Sequence, residues 1–110
     1  MVTVTYRRTT LPKGKLIYRL EADGHAGYAE EGKPDIVCAG VSTLFYTLAN
    51  FLELIGADDL EGSDEDEVYV ECNAFRSDEV VHTAFRMTVF GLTLLQEKYP
   101  DNIILSDESD

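Results

Sequence analysis

One apolar periodicity constrains this chain more than any other feature. Between Asp35 and Gly56, the residues Val37, Val41, Leu44, Phe45, Leu48, Leu52 and Ile55 recur in steps of three and four. That spacing lines one face of a helix, and a face so apolar has to be buried against another layer. Asp35 is placed to cap the helix, Pro34 discourages an earlier start, and Gly56 suits the residue just past its end. A second helix is expected after Ser77 as cap, with Asp78 and Glu79 in its first turn. Its apolar face would run Val81, Ala84, Phe85, Thr88, Leu92, Leu95 and Tyr99, and Pro100 would end it.

The layer beneath is announced by a different period. Val2, Val4 and Tyr6 alternate with Thr3, Thr5 and Arg7, and Leu16, Tyr18, Leu20 and Ala22 alternate with Ile17, Arg19 and Glu21. Pro12 and Gly14 lie between the two runs, so they read as an opening hairpin. Val68, Val70, Cys72 and Ala74 share one side of a middle strand, and residues 102–105 form a short last one. The acidic stretch 58–67 reads as an exposed, mobile loop, and 106–110 as a charged, frayed tail. The expected order is ββ-α-β-α-β, an α+β fold with two helices packed on a mostly antiparallel sheet. At 110 residues this is one domain, spanning 1–110.

Charge narrows the partners. Nine Lys and Arg stand against 21 Asp and Glu, a net charge of −12. This argues against nucleic acid and against an anionic membrane surface, because both are bound through cationic side chains. No stretch of about twenty apolar residues is apparent, and residues 1–5 alternate instead of following a signal-peptide layout. A soluble, cytoplasmic protein is expected. Two cysteines are too few for a disulfide scaffold or a four-thiolate zinc site.

Cys38 is the residue with the clearest chemical promise. With Asp35 as cap, it occupies the first helical turn, near unpaired N–H groups and the positive end of the helix dipole, where a thiolate is favoured. The same N–H groups would serve as an oxyanion hole. His25 lies 38 − 25 = 13 residues upstream in a stretch containing Gly24, Gly27 and Gly32, and a loop folding back would bring its imidazole to the thiol. Ser42, one turn further along, could hydrogen-bond within the site. Asp35 could orient His25 only if capping leaves it free. The plainer alternative remains open: a Cys at the start of an apolar helix is often core, and a lone loop His is often solvated. Cys72 and His82 show no activating surroundings. His25, Asp35 and Cys38 lack the spacing of a metal site, so neither metal nor cofactor is expected. The acidic stretch lacks a calcium-loop register, and the glycines do not make a dinucleotide fingerprint.

The run Gly24-His25-Ala26-Gly27-Tyr28-Ala29, followed by Gly32 and by Asp35-Ile36-Val37-Cys38-Ala39-Gly40-Val41-Ser42, resembles the ribosomal-processing cysteine protease family Prp. Pro34 before Asp35 departs from the family pattern. The resemblance implies Cys38 as nucleophile and His25 as its base, with Gly24, Asp35 and Ser42 lining or supporting the site. It also implies a cytoplasmic homodimer that trims a short N-terminal extension, ending in aromatic residues, from the precursor of a large-subunit ribosomal protein during ribosome assembly. Some relatives are associated with phage structural proteins. A different class of function, a non-catalytic acidic protein holding a basic partner, competes with this reading. In either case the negative charge would attract a basic partner over roughly a Debye length.

Overall fold

The structure, a computed structural model, describes residues 1–30, 32–64 and 66–110. It contains β1 (Val2–Leu11), β2 (Lys15–Asp23), α1 (Ile36–Leu54), β3 (Asp58–Ser63), β4 (Glu67–Phe75), α2 (Glu79–Lys98) and β5 (Ile103–Asp107). The strands form a five-stranded sheet in the order β3-β4-β2-β1-β5. Among the described residues the β1–β5 pair is parallel and the β1–β2, β2–β4 and β3–β4 pairs are antiparallel. The α+β class and the two helices on a mostly antiparallel sheet are as expected. The order is ββαββαβ, with one strand more than the sequence indicated.

The hairpin β1–β2 sets the register. Val4 faces Ala22 and Tyr6 faces Leu20, so the alternating apolar residues of both strands share one face. Lys13 and Gly14 turn the chain with φ of 64° and 72°. The helices cover that face: Val37, Val41, Phe45, Leu48 and Leu52 of α1 and Val81, Phe85 and Leu92 of α2 are buried on it. Tyr18 stacks on Phe85 with ring centroids 5.0 Å apart. The outer face is polar, with Arg19 paired to Glu21 and Glu71.

The helices meet through small residues. A Cβ on Gly91 would lie 2.8 Å from a Leu44 methyl, and one on Gly40 would lie 3.2 Å from Leu95. Contacts 40 to 95 and 44 to 91 run in opposite senses, so the helices are antiparallel where they touch. α1 is 19 residues long with Glu53 as its one charged residue, so its length and composition match those of a membrane-crossing helix. That corrects the statement that no such stretch exists. In this fold its most apolar side is buried against the sheet.

Three further expectations change. Residues 58–63 are not a loop: they form β3, paired along β4 from Asp58↔Asn73 to Ser63↔Val68. An edge strand needs only one neighbour, and charged side chains there discourage further pairing. The cap of α2 is Asp78, not Ser77, its carboxylate accepting from Val81 N–H at 3.1 Å. The tail is not frayed. β5 continues to Asp107, Glu108 N–H donates to the Tyr6 carbonyl at 2.8 Å, and the Asp110 carboxylate accepts from Thr10 N–H at 3.1 Å.

Candidate active site

The site is assembled where β2 ends, α1 begins and the β3–β4 connection folds over both. Gly24 starts it. Its φ is +94°, and a Cβ there would sit 2.7 Å from the Met1 carbonyl oxygen, so only glycine lets β2 leave the sheet at this angle. His25 follows, exposed at the rim. Ala26 then turns inward and is buried, its carbonyl accepting from Asn102 Nδ2 at 3.0 Å.

Asp35 joins the two halves of the loop–helix junction. One carboxylate oxygen accepts from Val37 and Cys38 N–H, both at 3.0 Å, and the other from Tyr28 N–H at 3.0 Å and Ala29 N–H at 3.4 Å. Burial acts to raise the Asp35 carboxyl, and these four N–H groups outweigh it, holding it below the usual carboxylate range. Both oxygens are therefore engaged in backbone bonds, and the notion that Asp35 orients His25 is not supported by its contacts. The N–H groups of Val37 and Cys38, expected to form an oxyanion hole, already donate to Asp35.

Cys38 is half-buried, and the N–H group of Ala26 donates to its Sγ at 3.3 Å. His25 and Cys38 line one cleft of about 200 Å³, together with Gly24, Ser42, Tyr46, Ser63, Asp64, Asp66 and Glu67. Ser42 thus belongs to the cleft, while Asp35 stands behind it.

Sequence reasoning missed Asp66. His25 Nε2 lies 2.7 Å from Asp66 Oδ1, and Gly24 N–H donates to the Asp66 carbonyl at 2.8 Å. The end of the acidic segment, read from the sequence as an exposed loop, supplies one wall of the cleft through Asp64, Asp66 and Glu67. Asp64 Oδ1 in turn accepts from Asp66 N–H and Glu67 N–H, each at 2.9 Å. With Nε2 on a carboxylate, Nδ1 is the ring nitrogen outside that bond.

The other cysteine and histidine are structural. Burial, followed by the negative charges of Asp59 and Asp58, pushes the Cys72 thiol up to about 11. His82 Nδ1 lies 3.1 Å from the Tyr18 hydroxyl, beside the core. Among the described residues, no three His, Cys, Asp or Glu side chains are grouped to hold a metal ion.

A cleft joining a helix-terminal thiol to a carboxylate-bound imidazole is an arrangement for cysteine-based acyl transfer. The family model for the cysteine protease Prp matches residues 1–104. The chain belongs to the cysteine protease Prp family. Its enzyme class is accordingly cysteine protease. A crystal structure of SMU.848 from Streptococcus mutans is similar at 32% identity and a TM-score of 0.72, covering 100% of this chain and 96% of its own. The S. aureus ribosomal processing protease Prp, in complex with a covalently linked product peptide, has 24% identity and a TM-score of 0.72, covering 96% of this chain and 99% of its own. The same S. aureus protease with a substrate peptide is similar at 22% identity, also with a TM-score of 0.72 and the same coverage. These two S. aureus likenesses carry the Prp fold. No curated protein matches the chain.

Proposed function

We propose that this Prp-family protease removes a short N-terminal extension from the precursor of a large-subunit ribosomal protein, with Cys38 as nucleophile and His25 as base. The observation that carries the reading is the shared cleft: a thiol under a backbone N–H and a histidine held by Asp66 open onto the same space. The S. aureus relative, described as an essential ribosomal processing protease and seen with peptides, supplies the substrate class.

His25 takes the thiol proton through Nδ1, and Asp66 stabilises the imidazolium that results. Sγ attacks the scissile carbonyl carbon, and the carbonyl π pair moves onto oxygen. The tetrahedral species collapses, the C–N bond breaks, and the leaving amine takes the proton back from His25. Water, deprotonated by the same imidazole, then resolves the thioester and restores the thiol.

The acidic wall suits a strongly basic substrate, because negative charge inside a cleft concentrates cationic peptide there. The reading includes action in the cytoplasm and a homodimer. Exposed Met87, Phe90 and Leu94 along α2 offer apolar surface for a second copy.

The test is a comparison of wild type, Cys38→Ala and His25→Ala on a precursor peptide whose extension ends in aromatic residues. Two fragments by mass from wild type alone support the reading. A wild type that binds the peptide without cutting it would instead favour an acidic interaction protein.

A further inference from the structure

Attack on a carbonyl requires a hydrogen-bond donor for the oxygen as it becomes negative, about 2.7–3.1 Å from its final position. The obvious donors are already taken, since Val37 and Cys38 N–H both point at Asp35. One backbone donor faces the sulfur itself: Ala26 N–H, 3.3 Å from Sγ. Its direction is held from behind. Asn102 Nδ2 grips the Ala26 carbonyl at 3.0 Å, and Asn102 is anchored by its own backbone, which donates to the Tyr99 carbonyl at 3.0 Å and accepts from Val2 N–H at 2.9 Å. With its carbonyl fixed by Asn102 and its N–H on the sulfur, Ala26 has both flanking peptide planes set, in a loop whose glycines would otherwise leave it free.

We propose that Ala26 N–H is the oxyanion donor of this site, and that Asn102 is the positioning residue that aims it. The inference rests on the proteolytic reading above. In the resting enzyme the N–H donates to Sγ. As the Sγ–C bond forms and the carbonyl π pair moves to oxygen, the negative charge leaves sulfur, and the same N–H passes to the oxyanion beside it. Asn102 does not line the cleft. It acts only through the Ala26 peptide, across 76 residues of sequence.

The test uses the full chain with Asn102→Ala, Asn102→Leu and Asn102→Gln. Leu keeps the bulk of Asn without a donor, and Gln keeps the donor on a longer arm. The first readout is the pH profile of Cys38 alkylation by iodoacetamide, which needs no substrate and so stands apart from the question of what the enzyme cleaves. Ala and Leu should move the profile to higher pH, slowing alkylation at pH 7 by about threefold to tenfold, and Gln should restore part of it. The second readout is peptide cleavage, where kcat should fall roughly tenfold to a hundredfold with KM nearly unchanged. Thermal melting identifies any variant that fails to fold. Wild-type alkylation profiles in folded Ala and Leu variants would overturn the proposal, as would an unchanged kcat.

Discussion

His25 Nε2 and Asp66 Oδ1 lie 2.7 Å apart, a bond that joins the loop after β2 to the connection before β4 across 41 residues of sequence. Both side chains are 67% exposed, so solvent and salt weaken the pair relative to a buried one. Asp66→Asn keeps a hydrogen-bonding side chain and removes the charge. It should lower kcat by roughly tenfold, well short of the loss seen when a buried triad carboxylate is neutralised. Steady-state rates at low and high ionic strength check this, and the deficit should narrow as salt rises. Asp58→Asn and Asp59→Asn, on β3, should change only kcat/KM, and only at low salt.

Asp35 performs two tasks that one substitution separates. Asp35→Asn retains an oxygen for Val37 and Cys38 N–H but sets an amide against Tyr28 and Ala29 N–H. The helix should survive while the loop is released, lowering activity more than melting temperature. Asp35→Ala loses both, at a cost of about 1–2 kcal/mol. The folded carboxyl lies below its ordinary 3.8, so its stabilising share is full above that pH and is lost as pH falls through the lower folded value. Acid unfolding of wild type should therefore steepen below about pH 4, and less so for Asp35→Ala.

The contrast between Asp35 and Asp66 shows how far the sequence carries. Asp35 was legible because a cap is local: a short acid before an apolar 3.6-residue period has one obvious place. The faces of α1 and α2 and the β1–β2 hairpin were legible for the same reason, since burial imposes a period. Asp78 replaced Ser77 as cap because both residues cap well and only the exit angle of β4 chooses between them. Strand β3 was hidden because an exposed edge strand buries little and shows no alternation in Asp58-Asp59-Leu60-Glu61-Gly62-Ser63. Its pairing comes from the backbone of β4. Asp66 and Asn102 were illegible because their partners, His25 and Ala26, are supplied by topology.

Helix packing gives a prediction away from the cleft. Gly91→Val would drive a side chain into Leu44, whose methyl already lies 2.8 Å from the Cβ position. Overpacking should cost about 1–3 kcal/mol in chemical denaturation. Adding Leu44→Ala should recover part of that loss, a coupling that separates contact from helix propensity.

The two thiols should behave differently. Cys72 is fully buried with its thiol pushed up to about 11, so iodoacetamide near pH 7.5 should label Cys38 alone until denaturant is added. Peptide mapping of the labelled protein reads this directly, and native labelling of Cys72 would contradict the burial.

The central claim is covalent: Cys38 carries the acyl group. Wild type is mixed with the aromatic-ended precursor peptide, quenched in acid within the first turnover, and its intact mass and digest are recorded. The account predicts an adduct equal to the N-terminal fragment less one water, located on the peptide containing Cys38 and missing in Cys38→Ala. Cleavage by Cys38→Ala at the wild-type rate, with no adduct on either protein, would contradict it.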